Sequence, residues 1–566
     1  MTPPGYLRAI TGFVFSLLME GVGHGQDLAT IGQNKPITIT GTLAANAMFF
    51  NAEGRPASRE KFTWYFTGNP ILEIYGVTLP FSFTVSEQQR DFRQPFNQFG
   101  SSPYYKWAKG HFGYRNIVFS PFTLGGHTMA GAGLELTPGK FRFGFMYGRL
   151  FRAIQAVGNP DGTFVQTPTF KRNAFSTKIG YGTEENFVDL ILLKGQDDEN
   201  SIDYTHAETG IAPAENLVMG IHSKQKLMKK VRLELELAQS LYTSNTGAAG
   251  PGKANEGALV KPFGALMKHK NSSTAGSTAF EASAGYEQGQ FGALIKYREV
   301  GPNFQSMGSY FFQNDLRNIT LEPHIRFFNS ALQLSGSYGY QTDNLEKERE
   351  STTKRKIGSL NASGRIGEKY TGNIYFSNYD IGQAAGKVAL DTLIRISQTV
   401  KGWGMLHNLV FTGDALTQTV MLHYNYQTLT DRNPNTAKFT NYNTGTWMVS
   451  YYFTINKLKA SISGNYTTTQ FELPGQQTKI QGPSLGATKM MANNAMSMNV
   501  TWSSMAYTTN GASIRNINRV SVNASYRASR KHRFNIRFYV NKSAKEADTI
   551  TPFKETKGDI SYAYTF

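Results

Sequence analysis

The sequence predicts an all-β protein, a single transmembrane antiparallel β-barrel of about 24 strands (roughly 22–26) with short turns at one end and longer loops at the other. Three observations predict it. Long segments alternate apolar and polar residues with period two. Short turns and longer polar connections follow one another along the chain. No linker divides the 566 residues into domains, and no long amphipathic helix breaks the pattern.

The strands come first. In "VRLELELAQS", Val231, Leu233, Leu235 and Leu237 share one face, while Arg232, Glu234 and Glu236 share the other. In "RFNIRFYVN", Phe534, Ile536, Phe538 and Val540 alternate with Asn535, Arg537 and Tyr539. "LQLSGSYGY" sets Leu332, Leu334, Tyr338 and Tyr340 against Gln333, Ser335 and Ser337. "FRFGFMYG", "FGALIKYR" and "WMVSYYF" repeat the pattern less strictly. Period two means a strand with one apolar and one polar face.

The turns come next. "TPGK", "GTEEN", "KLMKK", "EQGQ", "FNSA", "GEKY", "GDAL", "INK", "MANN" and "ASRKH" each separate two such strands. Longer polar stretches lie between them, such as "AVGNPDGTFVQTPTFKR" and "DNLEKERESTTKRK". Ten turns imply twenty strands. A closing strand over residues 557–566 makes twenty-one. Upstream, 36–50, a long broken strand in 62–85, and 104–119 make 24, which puts both termini on the short-turn side. Residues 390–412 read either as one long strand or as two short ones.

A soluble β-sandwich would also alternate. Here the apolar faces are heavy in Phe, Tyr and Leu, and the opposite faces carry Arg, Lys, Glu, Asn and Ser. Such faces are too polar for the far side of a packed core. A spanning strand needs every backbone group paired, which forces closure into a ring.

Composition narrows the classes. There are 39 Phe, 29 Tyr and 56 Gly, and charged residues make up only 17%. The mean hydropathy of −0.37 argues against a helical membrane protein. The chain has no Cys, which removes disulfides, zinc–thiolate sites and thiol nucleophiles. The formal charge is +18. Without a long basic block, this points to a lumen for anions or an anionic lipid surface rather than to nucleic acid.

The first residues read as an export signal over 1–25. Arg8 precedes an apolar run from Ala9 to Met19, and Gly23 and Gly25 precede Gln26 at a small-x-small cut site. Glu20 departs from the pattern. The run is too short for a membrane helix.

The last residues carry a resemblance. In "DISYAYTF", Ile560, Tyr562, Tyr564 and Phe566 occupy alternate positions, with a terminal Phe. This resembles the closing-strand signal of Gram-negative outer-membrane barrels. The resemblance implies an outer-membrane location, contact with its lipid, and reading of these four residues by the barrel-assembly machinery. "PFNQFGSSPYYKW" and "GYRNIVFSPFTLGGHTMAGAGLEL" are similar to stretches of large barrels of the Bacteroidota. That likeness implies no biochemical role, although secretion and nutrient systems there pair barrels with external subunits.

No catalytic constellation is present in the sequence. The ten His are scattered, with no H-E-x-x-H, and "GAGLEL" lacks the strand–turn–helix context of a phosphate loop. No enzyme, cofactor or metal site is therefore expected. Pointing the polar strand faces inward gives a candidate lumen of Arg142, Lys178, Arg232, Glu234, Glu236, Lys296, Arg298, Glu322, His324, Arg326, Arg533 and Arg537. Such a lining is mixed but basic. It favours anions if the charges are free, and holds the wall together if they pair across strands.

Barrels of 16–18 strands already leave an aqueous channel. An open ring of about 24 would need closure, and residues 87–104 and 243–276 are the candidate lumen-occluding or external segments. The leading expectation is an outer-membrane pore for polar or anionic solutes, passive or gated. The alternative is a scaffold or export conduit whose lumen holds a surface protein or lipoprotein partner.

Overall fold

A computed structural model describes residues 37–87, 94–158, 164–166, 168–203, 210–252, 254–309, 313–387, 395–544 and 551–566. The export-signal reading, and the middle of 87–104, lie outside these residues.

The wall is a closed antiparallel ring of 26 strands. The first five are β1 (Thr42–Glu53, extended backwards by Ile37–Thr40), β2 (Phe62–Gly68, extended by Ile71–Ile74), β3 (Val77–Ser86), β4 (Gln98–Ser101, extended by Tyr104–Tyr105) and β5 (Ala108–Val118). Then follow β6 (Gly125–Leu136), β7 (Phe141–Phe151), β8 (Arg172–Gly182), β9 (Phe187–Asp197), β10 (Glu215–Leu227), β11 (Val231–Thr243), β12 (Thr274–Gln288), β13 (Phe291–Val300) and β14 (Leu316–Phe327). The far half comprises β15 (Leu332–Asp343), β16 (Ser351–Ile366), β17 (Tyr370–Ala385), β18 (Ser397–Thr412), β19 (Leu416–Asp431), β20 (Tyr442–Ile455), β21 (Ala460–Leu473), β22 (Gln476–Met491), β23 (Met496–Thr509), β24 (Ala512–Arg527), β25 (His532–Ser543) and β26 (Phe553–Thr565). The seam joins β26 to β1 from Thr42↔Thr565 to Glu53↔Lys554. Closure leaves no free sheet edge.

All ten turns read from the sequence join hairpins at one rim. Two more were not legible, and they account for 26 strands rather than 24. Tyr75 and Gly76 both adopt positive φ (47° and 85°), so 62–85 is a hairpin rather than one broken strand. Lys106, at φ 51°, turns β4 into β5. Neither turn carries the Asn-Gly or Asp-Gly signal of a two-residue hairpin. β4 falls inside 87–104, so the end of that segment is barrel wall rather than a loop. The described part of 390–412 holds one strand, β18.

The short-turn rim has connections of two to four residues. The opposite rim carries the long ones, up to residues 244–273. Two connections there break the alternation, because Pro474–Gly475 and Asn510–Gly511 are two-residue turns. A short α-helix, α1 (Pro434–Thr440), caps the β19–β20 loop.

Wall height follows strand length. β7, β8 and β9 have 11 residues each, whereas β16 to β19 have 16. At about 3.3 Å per residue and a tilt near 45°, eleven residues just cross the apolar thickness of a bilayer. The longer strands project beyond it.

The outer face is apolar and aromatic. Ile319, Leu321, Ile374, Phe376, Val449, Tyr451, Phe534, Ile536 and Phe538 are all exposed on it. Trp403, Tyr424 and Trp447 meet there at tilted angles, with ring centroids 4.7 and 4.1 Å apart. Interfacial aromatics of this kind anchor barrels in membranes. Near the seam, Tyr562 and Tyr564 face outward with Phe534 and His532. The Tyr562 hydroxyl lies 2.8 Å from His532 Nδ1, and the Tyr564 and Phe566 rings meet edge-on at 5.1 Å.

Candidate functional site

The lumen is built by the other parity of the same strands. From β6 to β14 most of its charges pair. Arg142 on β7 donates two bonds to Asp189 on β9, at 2.7 and 2.9 Å, and its guanidinium lies 4.1 Å from the Phe187 ring centroid. Glu135 holds His111 at 3.0 Å and Lys178 at 3.6 Å. Glu234 holds His222 at 2.8 Å and Lys224 at 3.5 Å. Glu281 holds Lys296 at 2.7 Å and Arg298 at 3.5 Å. Glu287 holds His324 at 3.3 Å and Arg326 at 3.4 Å.

Most of the predicted basic lining on this side is therefore neutralised across strands. Of that predicted lining, Arg232, Glu236, Glu322, Arg533 and Arg537 make no ion pair among the described residues. The carboxylates Glu135, Asp189, Glu281 and Glu287 were not singled out in the sequence. They sit at the inward parity of their own strands, so reading register across neighbours finds them.

The buried Arg142–Asp189 pair makes a testable contrast. Asp189→Ala strands a bidentate guanidinium and is expected to cost about 3–5 kcal/mol. Arg317→Ala removes a partner from an exposed pair (Arg317–Glu299, 2.7 Å) and is expected to cost about 0–1 kcal/mol. Urea unfolding of the refolded barrel, followed by tryptophan fluorescence, measures both.

The second feature of the lumen is apolar. Residues 119–124 ("FSPFTL") and 301–309 ("GPNFQSMGS") fold inward from the long-loop rim. Phe122, Leu124 and Phe304 are fully buried there, against the inward side chains Met129, Met146, Leu150, Ile191, Leu193 and Val218. The Phe122 and Phe304 rings meet edge-on at 5.8 Å.

Polar bonds fix the two loops to the wall and to each other. Phe122 N–H donates to Glu236 Oε1 at 2.8 Å. Met307 N–H donates to Asn216 Oδ1 at 2.9 Å. Ser240 Oγ donates to the Gln305 carbonyl at 2.6 Å, and Ser306 Oγ to the Thr123 carbonyl at 2.6 Å. Arg298 lies 5.1 Å from the Phe122 ring centroid.

Missing side chains on the wall make room. A Cβ at Gly220 would lie 2.8 Å from Thr123 Cγ2, and one at Gly144 would lie 2.8 Å from Phe119 Cε1. Sequence reasoning missed this plug. Its signal was the loss of alternation in "LILL" of β9, where both faces are apolar, with Gly or Ala at facing inward positions.

The third feature concerns 243–276, which the sequence left as either lumen-occluding or external. The described part of 243–276 does not enter the lumen. Val260 and Met267 cover Leu192, Leu217, Met219 and Leu241, which point outward from β9 to β11. Beneath them Lys194 pairs with the fully buried Glu215, which also accepts from the Lys268 and His269 backbone N–H groups at 2.9 and 2.8 Å. This loop lies on the outside of the wall, above the exposed Val188 and Leu190.

The far half of the lumen is different again. From β19 to β25 the inward residues are mostly amides and hydroxyls. Thr446 meets Thr469 at 3.0 Å, Asn499 donates to Thr488 at 2.9 Å, and Asn535 donates to Ser561 at 3.2 Å. The α1 loop touches this wall at the outer end of β19, where Thr436 and Thr440 donate to Asp431 at 2.6 and 2.8 Å, and the open part of the lumen runs beside the rest. These amides and hydroxyls bind water and polar solutes without demanding charge, while β24 and β25 also carry Arg519, Arg527, Arg533 and Arg537.

Comparison with known proteins gives fold likenesses only. No family model matches the chain, and no curated protein matches it. Among solved structures, it is similar to the P pilus usher (PapC) translocation pore, at 10% identity over 94% of this chain and 99% of that one, with a TM-score of 0.37. It is also similar to Acinetobacter baumannii OccAB4, at 8% identity over 93% and 98%, TM-score 0.29. A third is Pseudomonas aeruginosa OccK2 (OpdF) in complex with glucuronate, at 9% identity over 93% and 98%, TM-score 0.29.

Proposed function

We propose that this chain is an outer-membrane pore that passes polar solutes along the β15–β26 side of its lumen. The observation that carries this reading is a closed ring of 26 strands, apolar outside and polar inside, whose described loops fill the β6–β14 side. An aqueous path is expected at this circumference, since 16 to 18 strands already leave one. The outward aromatic belt and the asymmetric rims support placement in a Gram-negative outer membrane, with short turns in the periplasm and long loops outside.

A second reading keeps the same fold. A surface protein or lipoprotein would fill the uncovered half of the lumen, making the barrel a scaffold or export conduit. The one-sided plug favours it as far as it leaves a wall free for a partner. The test is purified protein in planar bilayers. Large, stable conductance is expected from the pore. Silence from folded barrel, together with a stoichiometric protein partner recovered from native membranes, would replace the pore with the scaffold.

A further inference from the structure

Four of the arginines without carboxylate partners line one stretch of wall. Arg527 on β24 and Arg533 on β25 stand directly opposite each other in the ladder. Both face the lumen, as the polar alternates of Tyr526 and Phe534. Arg537 stands one step up the same face, opposite Asn523. Four residues of strand put it about 13 Å from the Arg533 level. The next step brings Arg519, which donates to Asn541 at 2.6 Å. The β24–β25 turn adds Arg530 and Lys531 at the rim.

One acid lies nearby. Asp559 faces Arg537 across β26, but its carboxylate is held by Lys557 at 3.0 Å. All three arginines are exposed, and among the described residues none makes a side-chain bond.

Like charges directly opposite each other destabilise a sheet. On β6 to β14 this barrel pairs most of its inward cations, as at Arg142–Asp189 and Lys296–Glu281. The facing arginines sit instead on the open wall, at the short-turn mouth, next to the neutral residues Ser525, Asn535 and Ser561. Guanidinium forks match oxyanions with two parallel bonds, and two facing forks match one oxyanion held between them.

We infer that Arg527, Arg533 and Arg537 form a binding site for small oxyanions, carboxylate or phosphate, on the open wall of the lumen. This rests on the pore reading for its role in transport, but not for binding itself.

The experiment therefore has two readouts on the triple variant R527Q/R533Q/R537Q, with folding checked by heat-modifiable gel migration. The first is calorimetric titration of detergent-solubilised barrel with inorganic phosphate and, separately, with succinate. Wild type is expected to bind at least one, and the variant to lose about tenfold or more in affinity. The pair of titrants tells phosphate from carboxylate. The second is the reversal potential in a salt gradient, where wild type is expected to prefer anions and the variant to lose about threefold or more of that preference. Equal binding by wild type and variant, or none by wild type, overturns the site. Conductance with unchanged selectivity overturns its role in transport while leaving the pore. Absent conductance overturns the pore, and the titration still decides the site.

Discussion

Replacing Phe304–Gly308 with two glycines is expected to raise single-channel conductance by about twofold or more, because it removes the inner half of the plug. The packing argument is direct. Phe304 is fully buried inside the ring, edge-on to Phe122, and Met307 packs into the space left by Gly195. Truncating a buried aromatic costs about 3–5 kcal/mol where the site cannot collapse. A closed barrel wall cannot move in to fill the hole, so water enters instead.

The latch gives a milder version. Glu236→Gln keeps the shape and weakens the charge-assisted bond from Phe122 N–H. It is expected to leave mean conductance near wild type and to add brief openings to a larger level. Unchanged conductance in the loop replacement would show that the plug does not border the conducting path.

The second large effect lies on the outside. Glu215→Ala is expected to release the described part of 244–273 from the wall and to cost about 3–5 kcal/mol. It leaves Lys194 buried without its carboxylate and orphans two backbone N–H groups at Lys268 and His269. The apolar cover of Val260 and Met267 then faces water alone. Limited trypsin digestion should cut at Lys268 or Lys270 in the variant and spare wild type, while the ring of strands survives in both. Equal digestion of both proteins would mean that this loop is not held down by the pair.

The fold was legible because the wall obeys local rules. Alternation in β11 and β25 fixes which residues face lipid, and the ten turns fix where the chain reverses. The two missed strands have physical reasons. Tyr75–Gly76 turns with a bulky residue at positive φ, where propensity would place Asn. β4 is short and pairs with β5 through only two residues of Gln98–Ser101, so it leaves little periodic signal.

The lining was half legible. Parity placed Arg142, Lys178, Glu234, Glu236, Lys296, Arg298 and Arg326 on the inward face. It did not say which would be neutralised, since that depends on cross-strand register. The plug was not legible at all. "SPFTLGG" and "GPNFQSMGS" meet only because Ser306 and Thr123, far apart in sequence, are brought together by closure of the ring. Which of its two readings 244–273 would follow depended on the same kind of long-range contact.

The absence of Cys makes the central claim directly measurable, because any introduced thiol is the only one. Asn499→Cys lies on the open wall, Ser240→Cys lies under the plug, and Ile536→Cys lies on the outer face. Each is exposed to a charged, water-soluble thiol reagent in intact membranes. The account predicts fast labelling at 499, little at 240 and none at 536. Fast labelling at 536 with none at 499 would contradict a membrane barrel whose polar lumen opens along the β19–β25 wall.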